Sequence, residues 1–247
     1  MKAAPTPPQR LRRMHDVLAA AYGPQHWWPA ITAFEVIVGA YLTQNTSWKS
    51  VERSLANLNA AGALAIDGMR ALALDELKRL IRPSGFQTRK APALKAFVAL
   101  LDEEFSGSLD ALAAAPTPSL RPRLLALPGV GPETADAILL YALHHPVPVA
   151  DEYLRRIATR HHLIAPSIGK LGYEPLVSLT RAAFQSHPEA ARADLFNEMH
   201  ALVVAVGKAH CGKNPDCVLC PLAYDLGFVS SAGHRSASAA NPAAKPV

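Results

Sequence analysis

Apolar residues recur at helical spacing along nearly the whole chain, and this pattern constrains the fold more than any other feature. In residues 9–22 they fall at positions 11, 14, 18, 19 and 22, a period close to 3.6 residues. No stretch alternates for long enough to predict a strand, so the predicted fold class is all-α. The predicted helices cover residues 9–22, 31–43, 47–60, 75–81, 90–105, 119–126, 132–144, 151–162, 174–186 and 192–208.

Composition excludes several classes of protein. The chain has 247 residues, half of them hydrophobic, which is enough for one or two globular domains with a sizeable core. No window holds about 18 uncharged apolar residues, so we expect no membrane span. The N-terminal segment lacks the apolar core of a secretory signal, which favours a cytoplasmic protein. A net charge of +5 is compatible with a polyanionic partner.

Residues 127–135 read Leu-Pro-Gly-Val-Gly-Pro-Glu-Thr-Ala and lie between two predicted helices. Backbone N–H groups at a helix N-terminus are unpaired and bind phosphate well. The missing side chains at Gly129 and Gly131 would let an anion approach the backbone closely. Gly129, Val130 and Gly131 are therefore candidate phosphate-binding residues, and an ordinary glycine-rich turn is the alternative interpretation.

This segment, followed by an aspartate that opens a helix about 20 residues later, resembles the helix-hairpin-helix DNA glycosylases of the endonuclease III superfamily. The resemblance covers about residues 27–226. It implies two helical lobes flanking a DNA-binding cleft, in a monomer that binds double-stranded DNA with a damaged base. The expected parts are a lobe at 30–145 with the helix-hairpin-helix at about 120–145, a second lobe at 9–29 with 146–226, and a cysteine loop at 210–226. Residues 1–8 and 227–247 are expected to be a disordered head and a flexible tail.

Asp151 matches the catalytic aspartate of this family. A carboxylate beside the sugar C1′ stabilises the positive charge that develops when the base leaves, and it can orient or deprotonate a water molecule. The local pattern also predicts that Asp151 caps a helix, and the two roles are compatible. Bifunctional members carry a lysine where this chain has Glu133, which cannot form a Schiff base. The resemblance therefore implies a monofunctional enzyme that releases the base without cutting the strand.

Two further residues match positions at which family members hold the duplex open. Gln44 falls where a glutamine fills the gap left by the flipped base, and Phe86 falls where a second wedge residue enters from the opposite side. A base cannot be attacked while it is stacked, so extrusion and a plug are required. For Phe86, a core aromatic after a turn is the alternative.

The Trp-Trp-Pro run at 27–29 and the carboxylate at 133 resemble the 3-methyladenine branch of the superfamily. In that branch, aromatic residues near the N-terminus sandwich the extruded purine. An alkylated purine is electron-poor and stacks well on indole. Trp27 and Trp28 are the candidate sandwich, with Pro29 as a wall, although at least one tryptophan is expected to be only a core residue.

Three clustered cysteines, Cys211, Cys217 and Cys220, predict metal ligation rather than disulfides. The iron–sulfur loop of the family has four cysteines, whereas this chain has Leu226 at the fourth position and one spacing that is a residue short. Three thiolates with His210 or Asp225 would hold a [4Fe–4S] cluster, zinc is possible by ligand type, and a loop without metal is the third option.

The resemblance thus predicts a base-excision repair enzyme, a DNA N-glycosylase that removes an alkylated purine. Two alternatives remain open. One is a bifunctional endonuclease III-like glycosylase and lyase, and the other is a non-catalytic DNA-binding protein on the same scaffold.

Overall fold

The structure is a computed structural model that describes residues 4–28, 30–164 and 171–227. Within these ranges the chain is all-helical and contains no strand, which confirms the predicted fold class. The helices are α1 (Pro7–Tyr22), α2 (Ala33–Leu42), α3 (Trp48–Ala60), α4 (Ile66–Ala71), α5 (Leu74–Leu80), α6 (Gln87–Phe105), α7 (Leu109–Ala114), α8 (Thr117–Ala126), α9 (Pro132–Ala137), α10 (Glu152–Arg160), α11 (Tyr173–Phe184) and α12 (Glu189–Ala209). Short 3₁₀ turns lie at Arg82–Ser84 and Ala223–Asp225, and α9 continues into a π-helical turn at Ile138–Ala142.

Two helices, α4 and α7, were not predicted from the sequence. Each has six residues, which is less than two turns, so neither repeats its apolar pattern often enough to reveal a period. The predicted disordered head also needs correction, because Pro7 and Pro8 form the first turn of α1. Proline suits the start of a helix, and the Gln9 side chain accepts a hydrogen bond from the Thr6 N–H at 2.8 Å.

The chain divides into two compact units. The hairpin unit consists of the described parts of His26–Val149 together with Pro188–Asn197. Its central element is α2, which is apolar on all sides and almost entirely buried, as the sequence indicates. Helices α3, α6 and α9 and the π-helical turn pack around it. This packing holds α2 in place. The candidate tryptophans precede α2 in the chain, and Gln44 follows it.

The terminal unit consists of the described parts of Met1–Gln25, Ala150–His187 and Glu198–Val247. Its core forms where α1 packs on α11, with Leu11, Met14, Leu18 and Phe184 fully buried. The unit also contains α10 and most of α12. Of the predicted tail, only Gly227 belongs to the described residues. No helix in the described part of the chain is long and apolar enough to cross a membrane.

Candidate active site

The glycine-rich hairpin connects α8 to α9, and its two glycines differ in backbone conformation. Gly129 has φ +76°, a left-handed conformation that side chains strongly disfavour. Gly131 precedes α9 in extended conformation, and a Cβ there would meet nothing within 4 Å. Val130 between them is buried and holds the loop against the core. The hairpin thus exposes backbone beside Gly131, as the phosphate prediction requires.

A buried ion pair fixes the two helices of the hairpin. The Arg121 guanidinium on α8 donates to both carboxylate oxygens of Asp136 on α9, at 2.6 and 3.0 Å. Asp136 is fully buried, so this bidentate pair lies largely outside solvent. Glu133 is an exposed acid in the first turn of α9, where the helix dipole favours negative charge.

Gln44 contacts the hairpin directly. Its side-chain amide donates to the carbonyl oxygen of Gly129 at 3.0 Å and to the hydroxyl of Thr134 at 3.1 Å. Sequence reasoning did not predict this link, because the residues are more than 80 positions apart. The candidate wedge and the candidate phosphate site therefore form one continuous structure in the hairpin unit.

Phe86 is 56% exposed, although phenylalanine is usually buried. Its own φ is +48° and that of Gly85 is +65°, so a tight turn projects the residue at the start of α6. A cleft of about 170 Å³ lies between Phe86 and Gln44 and is lined also by Tyr41, Asn45 and Lys90. This exposure does not fit the alternative of a core aromatic.

The tryptophans form part of an aromatic cluster. The rings of Trp27 and Trp28 lie 5.9 Å apart between centroids and cross at 71°. Trp28 also packs against Trp48 and Tyr141, and its indole occupies the space that a Cβ at Gly39 would enter. A sandwich requires roughly parallel rings, so in this arrangement a purine can stack on one indole but not between the two. Pro29, the predicted wall, lies outside the described residues.

Asp151 is the N-cap of α10. One carboxylate oxygen accepts a hydrogen bond from the Leu154 N–H at 2.8 Å, so the predicted capping role is present. The residue is only 9% exposed. Its second oxygen lies 3.6 Å from Nε2 of His200, which comes from α12 within the same unit. Both oxygens therefore have a fixed neighbour.

The charge of Asp151 is stabilised despite its burial. Burial by itself raises the pKa of this carboxyl group. The nearby His200 imidazole and the backbone N–H groups of Leu154 and Tyr153 outweigh burial and lower the pKa below its ordinary value. Asp151 is therefore a carboxylate at neutral pH, in the protonation state that the predicted chemistry requires.

His200 and Gly207, both on α12, are residues that sequence reasoning missed. A Cβ at Gly207 would lie 2.2 Å from Cδ1 of Tyr153, so glycine allows α12 to approach α10 closely just beyond Asp151. A single histidine within the apolar run of α12 was the only available signal for His200. A lone histidine on an apolar helix face is more often a core residue, so the signal was weak.

The cysteine loop does not bring its predicted ligands together. Among the described residues no group of three or more histidine, cysteine or acidic side chains is arranged to hold a metal ion. The thiol of Cys211 accepts a hydrogen bond from Arg160, while Cys217 is exposed. Asp225, the alternative fourth ligand, binds Arg10 and His161 instead. This arrangement of the described residues does not fit a four-ligand cluster, and iron analysis of the purified protein would test whether the predicted [4Fe–4S] group is present.

Comparisons with known proteins identify the family. The sequence profile of the HhH-GPD superfamily of base excision DNA repair proteins matches residues 38–174. A protein of Methanocaldococcus jannaschii, provisionally named as a DNA repair glycosylase, is 38% identical over 87% of this chain and 94% of its own. The thymine/uracil-DNA glycosylase of Pyrobaculum aerophilum is 28% identical over 81% of this chain and 82% of its own.

A solved structure agrees with these sequence matches. The 3-methyladenine DNA glycosylase of H. pylori, bound to 1,N6-ethenoadenine, superposes with a TM-score of 0.70 and 26% identity. The match covers 83% of this chain and 98% of the other. The chain therefore belongs to the HhH-GPD superfamily of base excision DNA repair proteins. It is a DNA repair glycosylase of that superfamily, which confirms the predicted class.

Proposed function

We propose that this protein is a monofunctional DNA glycosylase that releases alkylated purines. One observation carries the proposal: the buried Asp151 carboxylate accepts the Leu154 N–H and faces His200, in a chain that has a carboxylate instead of an amine at position 133. An ionised carboxylate supports hydrolysis of the glycosidic bond, whereas a Schiff base requires an amine.

Asp151 acts by electrostatics and by positioning. As the base leaves, positive charge develops at the sugar C1′, and a carboxylate in a water-poor environment stabilises that charge strongly. Because the Leu154 N–H fixes one oxygen and His200 packs 3.6 Å from the other, little reorganisation is needed when the charge appears. The carboxylate also orients or deprotonates the water that attacks C1′.

The choice of an alkylated purine rests on the aromatic cluster. An alkylated purine carries positive charge and stacks favourably on an indole face. Its glycosidic bond is already weakened, so a single carboxylate suffices for cleavage. The likeness to a 3-methyladenine glycosylase bound to an ethenoadenine supports this choice. We assign the stacking surface to one of the two indoles, Trp27 or Trp28.

The hairpin unit would bind and open the duplex. The backbone N–H groups around Gly129, Val130 and Gly131 bind a phosphate, and Gln44 and Phe86 enter the base stack to replace the extruded nucleotide. Binding through phosphates predicts an affinity that falls as salt is added.

A panel of duplexes tests the proposal. The duplexes carry methylated purines, ethenoadenine, uracil or thymine in mismatches, and oxidised pyrimidines, and each is scored for base release with and without alkali. We expect release of alkylated purines, strand cleavage only after alkali, and no covalent adduct with an abasic duplex under borohydride. Preferred release of pyrimidines would contradict the substrate, and a strong adduct would contradict the monofunctional mechanism.

Asp151→Asn separates catalysis from folding. Asparagine caps helices as well as aspartate does, so α10 should remain intact while the charge is lost. We expect base release to fall about 10³-fold with DNA affinity retained. The same substitution at exposed Asp110, in the first turn of α7, is the matched control. If the wild-type protein releases no base from any duplex but still binds DNA, the chain is a binding protein instead.

A further inference from the structure

Two turns of the hairpin unit carry the proposed wedge residues. The Gln44 turn (residues 42–46) follows α2, and the Phe86 turn (residues 84–86) precedes α6. The side chain of Lys90, from the first turns of α6, reaches the space between them. Lys90 is only 5% exposed, which is rare for lysine.

The Lys90 ammonium uses all three of its hydrogens. It donates to the Leu42 carbonyl at 2.7 Å, to the Thr46 hydroxyl at 2.7 Å and to the Ser84 carbonyl at 2.9 Å. Two of these oxygens belong to the Gln44 turn and one belongs to the Phe86 turn. A single charged group therefore joins both turns.

Burying the Lys90 ammonium has an energetic cost, which its three hydrogen bonds between the two turns offset. All three hydrogen-bond partners are neutral oxygens, and burying a cation against neutral groups is unfavourable. The backbone of Lys90 lies in the first turn of α6, where the helix dipole disfavours positive charge, whereas its ammonium meets the last carbonyl of α2, where the dipole favours it. An apolar side chain would avoid the burial of a charge but would leave the Leu42 and Ser84 carbonyls without this donor.

The surrounding contacts show which part of the structure depends on Lys90. Ser84 is held independently, because its hydroxyl lies 2.7 Å from that of Ser54 on α3. Thr46 also donates to the Ser84 carbonyl at 2.6 Å. The Lys90 ammonium lies 5.7 Å from the centre of the Phe86 ring. The Phe86 turn thus rests on α3, and Lys90 with Thr46 joins the backbone of the Gln44 turn to it, while the Gln44 side chain is held by Gly129 and Thr134.

We propose that Lys90 is a positioning residue of the DNA wedge, which fixes Gln44 and Phe86 at the separation needed to enter the duplex together. The inference rests on the proposed wedge function of these two residues. Lys90 acts through the two turns, and its benefit is preorganisation: turns that are already fixed lose less freedom when the wedge enters DNA.

The test measures wedge insertion separately from DNA binding. A duplex carries 2-aminopurine next to a stable abasic-site analogue, and its fluorescence rises when the wedge unstacks the neighbouring base. We expect Lys90→Met to lower the equilibrium constant for this rise about tenfold, with affinity for undamaged duplex unchanged. Lys95→Met is the matched control, since Lys95 lies on the same helix and also donates to two carbonyls, those of Met69 and Arg70.

A second pair of variants keeps the test decisive if Lys90→Met does not fold. Thr46→Val removes the hydroxyl that accepts from Lys90 and donates to the Ser84 carbonyl, while Lys90 stays, and Thr46→Ser restores both contacts. We expect loss of the fluorescence rise in the first variant and recovery in the second. An equal response of Thr46→Val and Thr46→Ser, or of Lys90→Met and Lys95→Met, overturns the proposal.

Gln44→Ala and Phe86→Ala distinguish failure of this inference from failure of the proposed function. If both abolish the rise and Lys90→Met does not, only the role of Lys90 is overturned. If neither changes the rise, the wedge assignment itself is wrong and the role of Lys90 is overturned with it.

Discussion

The burial of Lys90 predicts an unusual rise of stability with pH. Burial lowers the pKa of this lysine from 10.5 to about 8, because the charged form loses its hydration. Between these two values the unfolded chain holds a proton that the folded chain has released. The free energy of unfolding therefore increases with pH across this window.

The size of the effect follows from the two pKa values. Relative to pH 7, the contribution of Lys90 to the free energy of unfolding grows by about 1.4 kcal/mol at pH 9 and by about 2.5 kcal/mol at pH 10. Lys90→Met has no proton to release and lacks this increment. The stability difference between wild type and variant should therefore change by these amounts in favour of wild type.

Urea unfolding, followed by helical circular dichroism at pH 7, 8, 9 and 10, measures the difference. Taking the difference between the two proteins at each pH removes the contributions of the other groups that titrate in this range. Stability curves that run parallel for wild type and Lys90→Met would refute the reasoning, because they would show that Lys90 keeps an ordinary pKa in the folded protein.

Three further predictions concern the packing around the site. Asp136→Asn should cost about 3 kcal/mol in urea unfolding, because it removes the charge of the fully buried carboxylate that accepts two hydrogen bonds from Arg121; a loss below about 1 kcal/mol would contradict this. Gly207→Ala should cost about 1–3 kcal/mol, because its Cβ would overlap Tyr153, and an unchanged Tm would disprove the close contact. The pKa of Asp225 is lowered, since its histidine and arginine partners outweigh burial. Wild type should therefore lose more stability than Asp225→Asn between about pH 5 and about pH 3, and equal losses would contradict this.

The sequence predicted those parts of the fold and site that depend on near neighbours in the chain. Helical periodicity located the long helices, since each repeats its apolar pattern over several turns. Gly129 was singled out because its missing side chain would let an anion approach the backbone, and the structure adds that its φ of +76° favours glycine. Asp151 was expected to cap a helix, and its side chain accepts the hydrogen bond that defines this role.

Other features required contacts between distant residues. The sequence around Phe86 is compatible with either a core residue or a wedge residue. Only the structure shows that the ring projects outward from the turn before α6. The sequence pair Trp27-Trp28 does not indicate how the two rings are oriented. The packing of Trp28 against Gly39 and Tyr141 determines the orientation of its ring.

By itself, the sequence determined an all-helical chain with a glycine hairpin and an aspartate that caps a helix, because these features are set by backbone preferences and local spacing. The tertiary structure alone decided that Lys90 joins the Gln44 turn to the Phe86 turn and that His200 lies beside Asp151. Lys90 lies 48 residues from Leu42, and His200 lies 49 residues from Asp151. Their proximity comes from the packing of whole helices, which no local pattern specifies.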